Sequence, residues 1–248
     1  MKLTFLGTGT STGVPQIGCK CDVCTSTDFH DKRLRASAII ETGSETVLID
    51  CGPDFRQQVL NNKVSTISAV LITHGHYDHV AGLDDLRPYG NVNIYAENLV
   101  NKQIKRTMPY CFKKDLYPGV PKLKLNNINE KTFYIGELEI QPIRVFHADL
   151  PILGFRIGKL AYLTDVKTIE TNTYKQLENL DILILNALRV QSHISHINID
   201  EAIQIALKVG AKKTYFTHFS HDAGKHADLQ NKMPENVFIS YDNLVIEM

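Results

Sequence analysis

Short apolar runs separated by Gly, Pro, Asn and Asp dominate the hydrophobic pattern, and most are too short for helices. Residues 3–6, 69–72, 182–185 and 214–217 are such blocks, and they predict buried strands. Residues 36–41 and 46–50 predict a strand pair around the turn Thr42-Gly43-Ser44, and further strands are expected at 93–96, 138–146, 154–157, 160–164, 237–240 and 244–246. Helical spacing predicts a short helix over 53–60 with Pro53 near its first turn, a second over 97–106 and a third near 169–177. Asn198 and Glu201 have the spacing of a capping box, opening a helix that runs through Val209 and stops at Gly210. Strands thus fall in two sets, each followed by helices. This is an α/β chain, with two sheets packed face to face and helices outside, forming one domain over residues 1–248. Residues 102–124 break the rhythm with seven Lys/Arg, one acid and three prolines, and read as an inserted loop or lid with a solvated basic face.

Charge and composition narrow the function classes. Lys+Arg and Asp+Glu are both 27, so no global basic field favours nucleic acid. No apolar run approaches the roughly 20 residues of a membrane helix. The amino terminus enters a strand-like segment without a signal-peptide pattern, so the expected location is the cytoplasm. Five cysteines, three of them clustered, suit a metal site better than a disulfide framework.

The chemistry concentrates in Thr73-His74-Gly75-His76-Tyr77-Asp78-His79, directly after the apolar run 69–72. Imidazole nitrogens and a carboxylate oxygen are preferred ligands of borderline divalent ions. One ion cannot easily use all four groups from so short a stretch. Two can, with His74 and His76 turned to one and Asp78 and His79 to the other. A histidine-rich surface turn is the bland alternative. Three later residues repeat the arrangement of a ligand type just past a strand: His147, Asp165 and His218. Singly, each could be a satisfied strand-end histidine or a helix cap; together they form a coherent set. Cys19, Cys21 and Cys24 offer three thiolates, one short of a tetrahedral zinc site. Unrelated thiols or an iron–sulfur cluster are the alternatives there. The loop Gly7-Thr8-Gly9-Thr10-Ser11-Thr12-Gly13 lacks the GK[ST] ending of a P-loop.

These residues resemble the metallo-β-lactamase-fold hydrolase superfamily, and within it the PhnP family of phosphoribosyl cyclic phosphodiesterases. The resemblance spans Leu6-Gly7-Thr8-Gly9-Thr10-Ser11, the cysteine cluster, Leu48-Ile49-Asp50-Cys51-Gly52-Pro53-Asp54, Leu83-Asp84-Asp85-Leu86-Arg87-Pro88 and Thr217-His218-Phe219-Ser220-His221-Asp222. It implies an αββα sandwich of two mixed sheets, with ions at the sheet edges. It also implies that His74, His76 and His147 hold one ion, that Asp78, His79 and His218 hold the other, and that Asp165 bridges them. Asp50 would orient ligands from behind, and His221 would complete a structural zinc with the three cysteines. The general acid falls at His196, with Asp78 beside the reacting centre; His193 reads as merely polar. Ser192 and Ile194 stand where the family often has prolines.

The expected activity is metal-dependent hydrolysis of a small or cyclic phosphodiester by a hydroxide shared between two zinc or manganese ions. His196 would protonate the departing oxygen. The expected partner is thus a small-molecule phosphodiester, with no membrane and with a homodimer left open. Arg33 and Arg35 could meet the phosphate, although exposed arginines usually face solvent. The alternatives are a tRNA 3′-processing endonuclease, which would carry a long exosite arm and lack the cysteine cluster, and a non-catalytic ligand-binding module on the same fold, which degraded ligands would signal.

Overall fold

The computed structural model describes residues 1–115 and 117–248. The strands are β1 (Lys2–Gly7), β2 (Ser37–Glu41), β3 (Thr46–Ile49), β4 (Ala69–Leu71), β5 (Asn91–Glu97), β6 (Lys122–Ile128), β7 (Phe133–Ile135), β8 (Leu138–His147), β9 (Leu150–Ile157), β10 (Leu160–Leu163), β11 (Ile182–Asn186), β12 (Lys213–Thr217), β13 (Val237–Ile239) and β14 (Val245–Glu247). They form two seven-stranded mixed sheets, in the orders β14-β1-β2-β3-β4-β5-β6 and β13-β12-β11-β10-β9-β8-β7. The helices are α1 (Phe55–Asn62), α2 (Tyr77–Val80), α3 (Asn98–Thr107), α4 (Ile199–Val209) and α5 (His226–Gln230).

Burial on both faces explains the uninterrupted apolar runs. Val47, Ile49, Ala69 and Leu71 enter the core between the sheets, where they meet Ile140, Leu153, Phe155, Tyr162 and Ile184. Leu48, Val70 and Ile72 point the other way and pack with Phe55 of α1 and Val100 and Ile104 of α3. On the far side, Leu183, Leu185 and Phe216 pack with Ala202 and Ala206 of α4. The layers are therefore αββα. The inner core draws on residues from Leu3 to Ile246, so the chain ends close the same sheet that it opens.

Most expected elements form where their pattern places them, including the complete Asn198–Glu201 capping box and the left-handed Gly210 that ends α4. Several do not. Residues 102–124 are no free insertion: they comprise the end of α3, a 3₁₀ turn over Pro109–Phe112 and the start of edge strand β6. Leu116 lies outside the described residues. The helix expected near 169–177 is a 3₁₀ segment, Thr171–Leu177. β7 and the short helices α2 and α5 had no periodic signal, because three to five residues hold too few turns or alternations to show one.

Candidate active site

Parallel pairing aligns β3 with β4 in one sheet and β10 with β12, through β11, in the other, and ligand-type residues just beyond their ends meet across the two sheets. Asp50, Asp165 and His218 each follow one of these strands, and each has a left-handed backbone, with φ of 59°, 58° and 62°. For residues with a Cβ this conformation costs on the order of 1–3 kcal/mol and clusters at functional sites. It turns the chain sharply at the strand end. His74 and His76 lie in the extended segment after β4, and α2 then buries Asp78 and His79. Gly52 lets the segment after β3 press against α2. A Cβ there would sit 2.1 Å from the Asp78 carbonyl oxygen. The contact is fastened by Cys51 N–H donating to the His79 carbonyl and Gly82 N–H donating to that of Cys51, both at 2.8 Å.

Asp50 organises two of the imidazoles from behind. Its carboxylate accepts from the Thr73 amide (2.9 Å), the Thr73 hydroxyl (2.9 Å) and His79 Nδ1 (2.7 Å). Burial pushes the Asp50 carboxyl up, and the His79 imidazole and the two Thr73 donors work against that rise. The Thr73 hydroxyl has given its proton to Asp50, so it accepts from His74 Nδ1 at 2.9 Å. Both rings are thereby fixed with Nε2 free to act as a ligand. His74 Nε2 lies 3.0 Å from His76 Nδ1. His147 Nδ1 donates to the Ser195 carbonyl at 2.7 Å, which leaves its Nε2 as the ligand atom as well.

His79 Nε2 faces Asp78 Oδ2 at 3.2 Å and Asp165 Oδ2 at 3.3 Å, while His218 Nε2 faces Asp165 Oδ1 at 3.2 Å and Asp78 Oδ2 at 3.8 Å. Both ring nitrogens are buried and make no hydrogen bond. Orphaned nitrogens converging with two carboxylates fit a divalent cation, which satisfies all of them at once. Although burial alone would raise it, Asp165 is held well below the usual carboxylate range by His218, His79 and His74. His79 and His218 do the same for Asp78 against its burial. Burial would lower His79, yet Asp50, Asp165 and Asp78 together raise it well above an ordinary imidazole.

Asp165 lies between two donor groups, one with His74 and His79 and one with His147 and His196. His196 Nδ1 stands 3.8 Å from Asp165 Oδ1, and burial and His218 push this imidazole down to about 3. His193 packs 5.2 Å from His196, ring to ring, and its Nδ1 accepts from the Ser195 amide and hydroxyl.

The second cluster lies in the long loop after β1. The ligand atoms of Cys19, Cys21, Cys24 and His221 all lie within 4.8 Å of one another, and His221 Nδ1 is 3.3 Å from Cys19 Sγ and 3.4 Å from Cys21 Sγ. A tetrahedral Zn²⁺ with S and N ligands has edges of about 3.5–3.8 Å, so this donor set fits zinc. The Cys24 amide and His221 bring the Cys21 thiol down to about 6, whereas burial pushes Cys24 up to about 11. The loop is already tied to the turn carrying His218, through Phe219 N–H to the Thr8 carbonyl and Thr10 N–H to that of Phe219, each 2.9 Å. The cluster reinforces that seam.

Two expectations are corrected. Arg33 does not face a phosphate: it is buried over the Phe219 ring and donates to Thr8 Oγ1 and the Ser240 carbonyl. Arg35 is engaged by Asp54 at 2.8 Å and by the Ser11 carbonyl. None of the basic residues of 102–124 lines the cleft beside His74 and His76. Sequence reasoning missed Thr73, although its place between the strand and His74 was visible. It also missed the Ser195 carbonyl, which carries no signal because every residue has one.

The Beta-lactamase superfamily domain matches residues 45–219. An octanoyltransferase of Porphyromonas gingivalis is 42% identical over 250 residues; the match covers 98% of this chain and 51% of that protein, so the chain spans about half of its length. The crystal structure of a diphosphatase from the PhnP family superposes with a TM-score of 0.94 at 38% identity, covering 100% of this chain and 97% of that one. Zn²⁺-bound PqqB from Methylobacterium extorquens, at 19% identity, shares the fold over 100% of both chains with a TM-score of 0.84. Two mixed sheets between helices, ligand-type residues at the shared strand edge and these similarities together make the chain a member of the metallo-β-lactamase-fold superfamily that belongs to the PhnP family.

Proposed function

We propose that the protein is a metal-dependent phosphodiesterase acting on a small or cyclic phosphodiester, such as a phosphoribosyl 1,2-cyclic phosphate. The observation that carries this reading is the convergence of orphaned His79 and His218 nitrogens on two carboxylates, with His196 Nδ1 3.8 Å from Asp165 Oδ1. His74, His76 and His147 would hold one divalent ion, Asp78, His79 and His218 the other, and Asp165 both. Zinc and manganese suit this mixed N/O donor set. When bound, such ions polarise phosphoryl oxygens and acidify water to a nucleophile near neutral pH. Asp50 and Thr73 hold the imidazoles in the tautomers that binding needs. A structural zinc on Cys19, Cys21, Cys24 and His221 would brace the His218 turn.

His196 is the general acid in this reading. Low in the free site, its imidazole must be raised by the phosphate's own negative charge before it can give a proton to the leaving oxygen. The acyl transfer named for the Porphyromonas protein is not carried over. Apart from the zinc-type cluster, the cysteines are Cys51 and Cys111, both buried, with burial raising their thiols away from reactivity. An endoribonuclease is less favoured, because Lys102, Lys105 and Arg106 belong to α3 and Lys122 and Lys124 to β6, so five of the seven basic residues of 102–124 sit in regular elements of the sandwich.

The test is turnover of bis(p-nitrophenyl) phosphate, a ribose cyclic phosphate and a short RNA by zinc- or manganese-loaded protein, repeated with His196→Ala. General acid assistance is worth about 10²- to 10⁴-fold for an alkoxide leaving group and little for nitrophenolate. His196→Ala should therefore lose far more on the ribose ester. Equal losses on both would assign His196 to positioning, and the same dependence in His193→Ala would move the role there. A loaded protein inert to all three esters would sink the reading.

A further inference from the structure

Thr73, Asp50 and the Ser195 carbonyl hold His74, His79 and His147, each by the ring nitrogen turned away from the ligand atom. His76 differs. Its Nδ1 faces His74 Nε2 at 3.0 Å, and among the described residues nothing hydrogen-bonds its Nε2. That spacing is close to the edge of about 3.3 Å that two nitrogens bound to one zinc ion make. When both nitrogens turn lone pairs to an ion, no hydrogen bond joins them. Their spacing must then be held by the backbone between them, at Gly75.

Gln103 reaches that backbone from α3, its Nε2 donating to the Gly75 carbonyl. The Gly75 backbone is not left-handed, so its own conformation does not call for glycine. A Cβ there would instead have its three nearest neighbours in Gln103, with Oε1 at 2.2 Å. The glutamine is carried on a rigid element. Val100 and Ile104 of α3 pack with Ile72, and the buried Asn101 amide donates to the Ala96 and Asn126 carbonyls and to Asn127 Oδ1, at 2.9–3.2 Å. Gln103 stands in the wall of a cleft of about 1010 Å³ beside His74 and His76. Arg144 in the same wall is taken: it pairs with both oxygens of Glu97, at 2.9 and 2.6 Å, and donates to Glu130 at 3.1 Å.

We propose that Gln103 is the positioning residue of the His74–His76 pair: by fixing the Gly75 carbonyl it presets the two nitrogens for one ion. The inference rests on the assignment of His74, His76 and His147 to that ion, and it names what holds the histidine that has no side-chain support of its own. An amide suits the task because it brings no net charge. A lysine or arginine donor in its place would repel the ion, and a carboxylate would repel the carbonyl and compete as a ligand.

The test is zinc affinity, which needs no turnover: chelator-stripped protein is titrated against a competing dye. His218→Ala keeps the His74, His76 and His147 group, and His76→Ala keeps the Asp78, His79 and His218 group, so each background isolates one ion. Gln103→Met keeps the side chain's bulk and loses its donor. It should weaken zinc about tenfold in the first background and leave the second unchanged. Lys105→Met, exposed on the same helix, should change neither. Equal weakening in both backgrounds, no weakening in the first, or the same loss from Lys105→Met would overturn the inference. Gly75→Ala supplies a second arm. In the first background it should also weaken zinc, yet add nothing once Gln103→Ala has removed the side chain that the new methyl strikes. The same cost with and without Gln103 would mean that the glycine answers to something else, and would overturn the inference too. Zinc stoichiometry of the wild type, by elemental analysis, reports on the metal assignment separately.

Discussion

Asp50→Asn tests whether ligand orientation from behind the site controls metal affinity. Asp50 is fully buried and carries three donated protons: two from Thr73 and one from His79. Asparagine keeps one acceptor and replaces the other with an NH₂. If its oxygen stays on the Thr73 amide, the NH₂ faces His79 Nδ1. One outcome sets donor against donor and forfeits a charge-assisted bond worth about 1.5–3 kcal/mol. The other moves the imidazole proton to Nε2, which then points between Asp78 and Asp165 where a ligand lone pair is required. Either way the ion held by His79 should bind roughly 10- to 100-fold more weakly, or about 1.4–2.7 kcal/mol. The assay is zinc titration of chelator-stripped protein against a competing dye, with the cysteine cluster as an internal control that should not change. The pH dependence carries a second signature. In stripped wild type the raised His79 pKa means a proton is held at neutral pH and released on metal uptake, so affinity rises with pH. The stability this protonation confers is full below the unfolded value of about 6.5 and is lost as pH rises through the raised value. Removing one of the three carboxylates that raise it should move both transitions to lower pH. Unchanged affinity at the His79 site, with an unchanged pH profile, would refute the reasoning.

Asp165→Ala removes the carboxylate shared by both donor groups and should lose activity together with at least one catalytic ion by elemental analysis; retention of both ions and turnover would return Asp165 to a structural role. Cys21→Ser should lose one zinc and lower the melting temperature. In zinc-free wild type Cys21, with its thiol near 6, should be alkylated at pH 7 before Cys24, near 11; the reverse order would contradict the local electrostatics. Gly52→Ala forces its new methyl against the Asp78 carbonyl, so it should displace α2 and cost metal affinity more than global stability; unchanged metal content and affinity would refute the close-packing account.

The candidate ligand residues could be picked out because metal chemistry demands particular side chains at fixed spacing after buried strands. His74, His76, Asp78 and His79 fall within six residues, and the runs preceding His147, Asp165 and His218 are apolar enough to mark strands. The layer order was legible for a related reason, since strands buried on both faces lose polar alternation. The basic segment misled because charge density says nothing about pairing: Lys122 and Lys124 start an edge strand whose alternate residues face solvent. Arg33 misled because its burial depends on Phe219, His226 and Ser240, all far away in the chain.

The sequence by itself thus determined the types of candidate ligand, their attachment to strand ends and the apolar layers that carry them. Only the tertiary structure decided which nitrogen of each imidazole is free, through Asp50, Thr73 and the Ser195 carbonyl. Only it placed Glu97, Glu130 and Arg144 around one cleft and cancelled the arginine there. The physical reason is the same in each case. A residue's type and its immediate neighbours are local, whereas its protonation and free valence are set by whatever partner the fold brings from a distant strand.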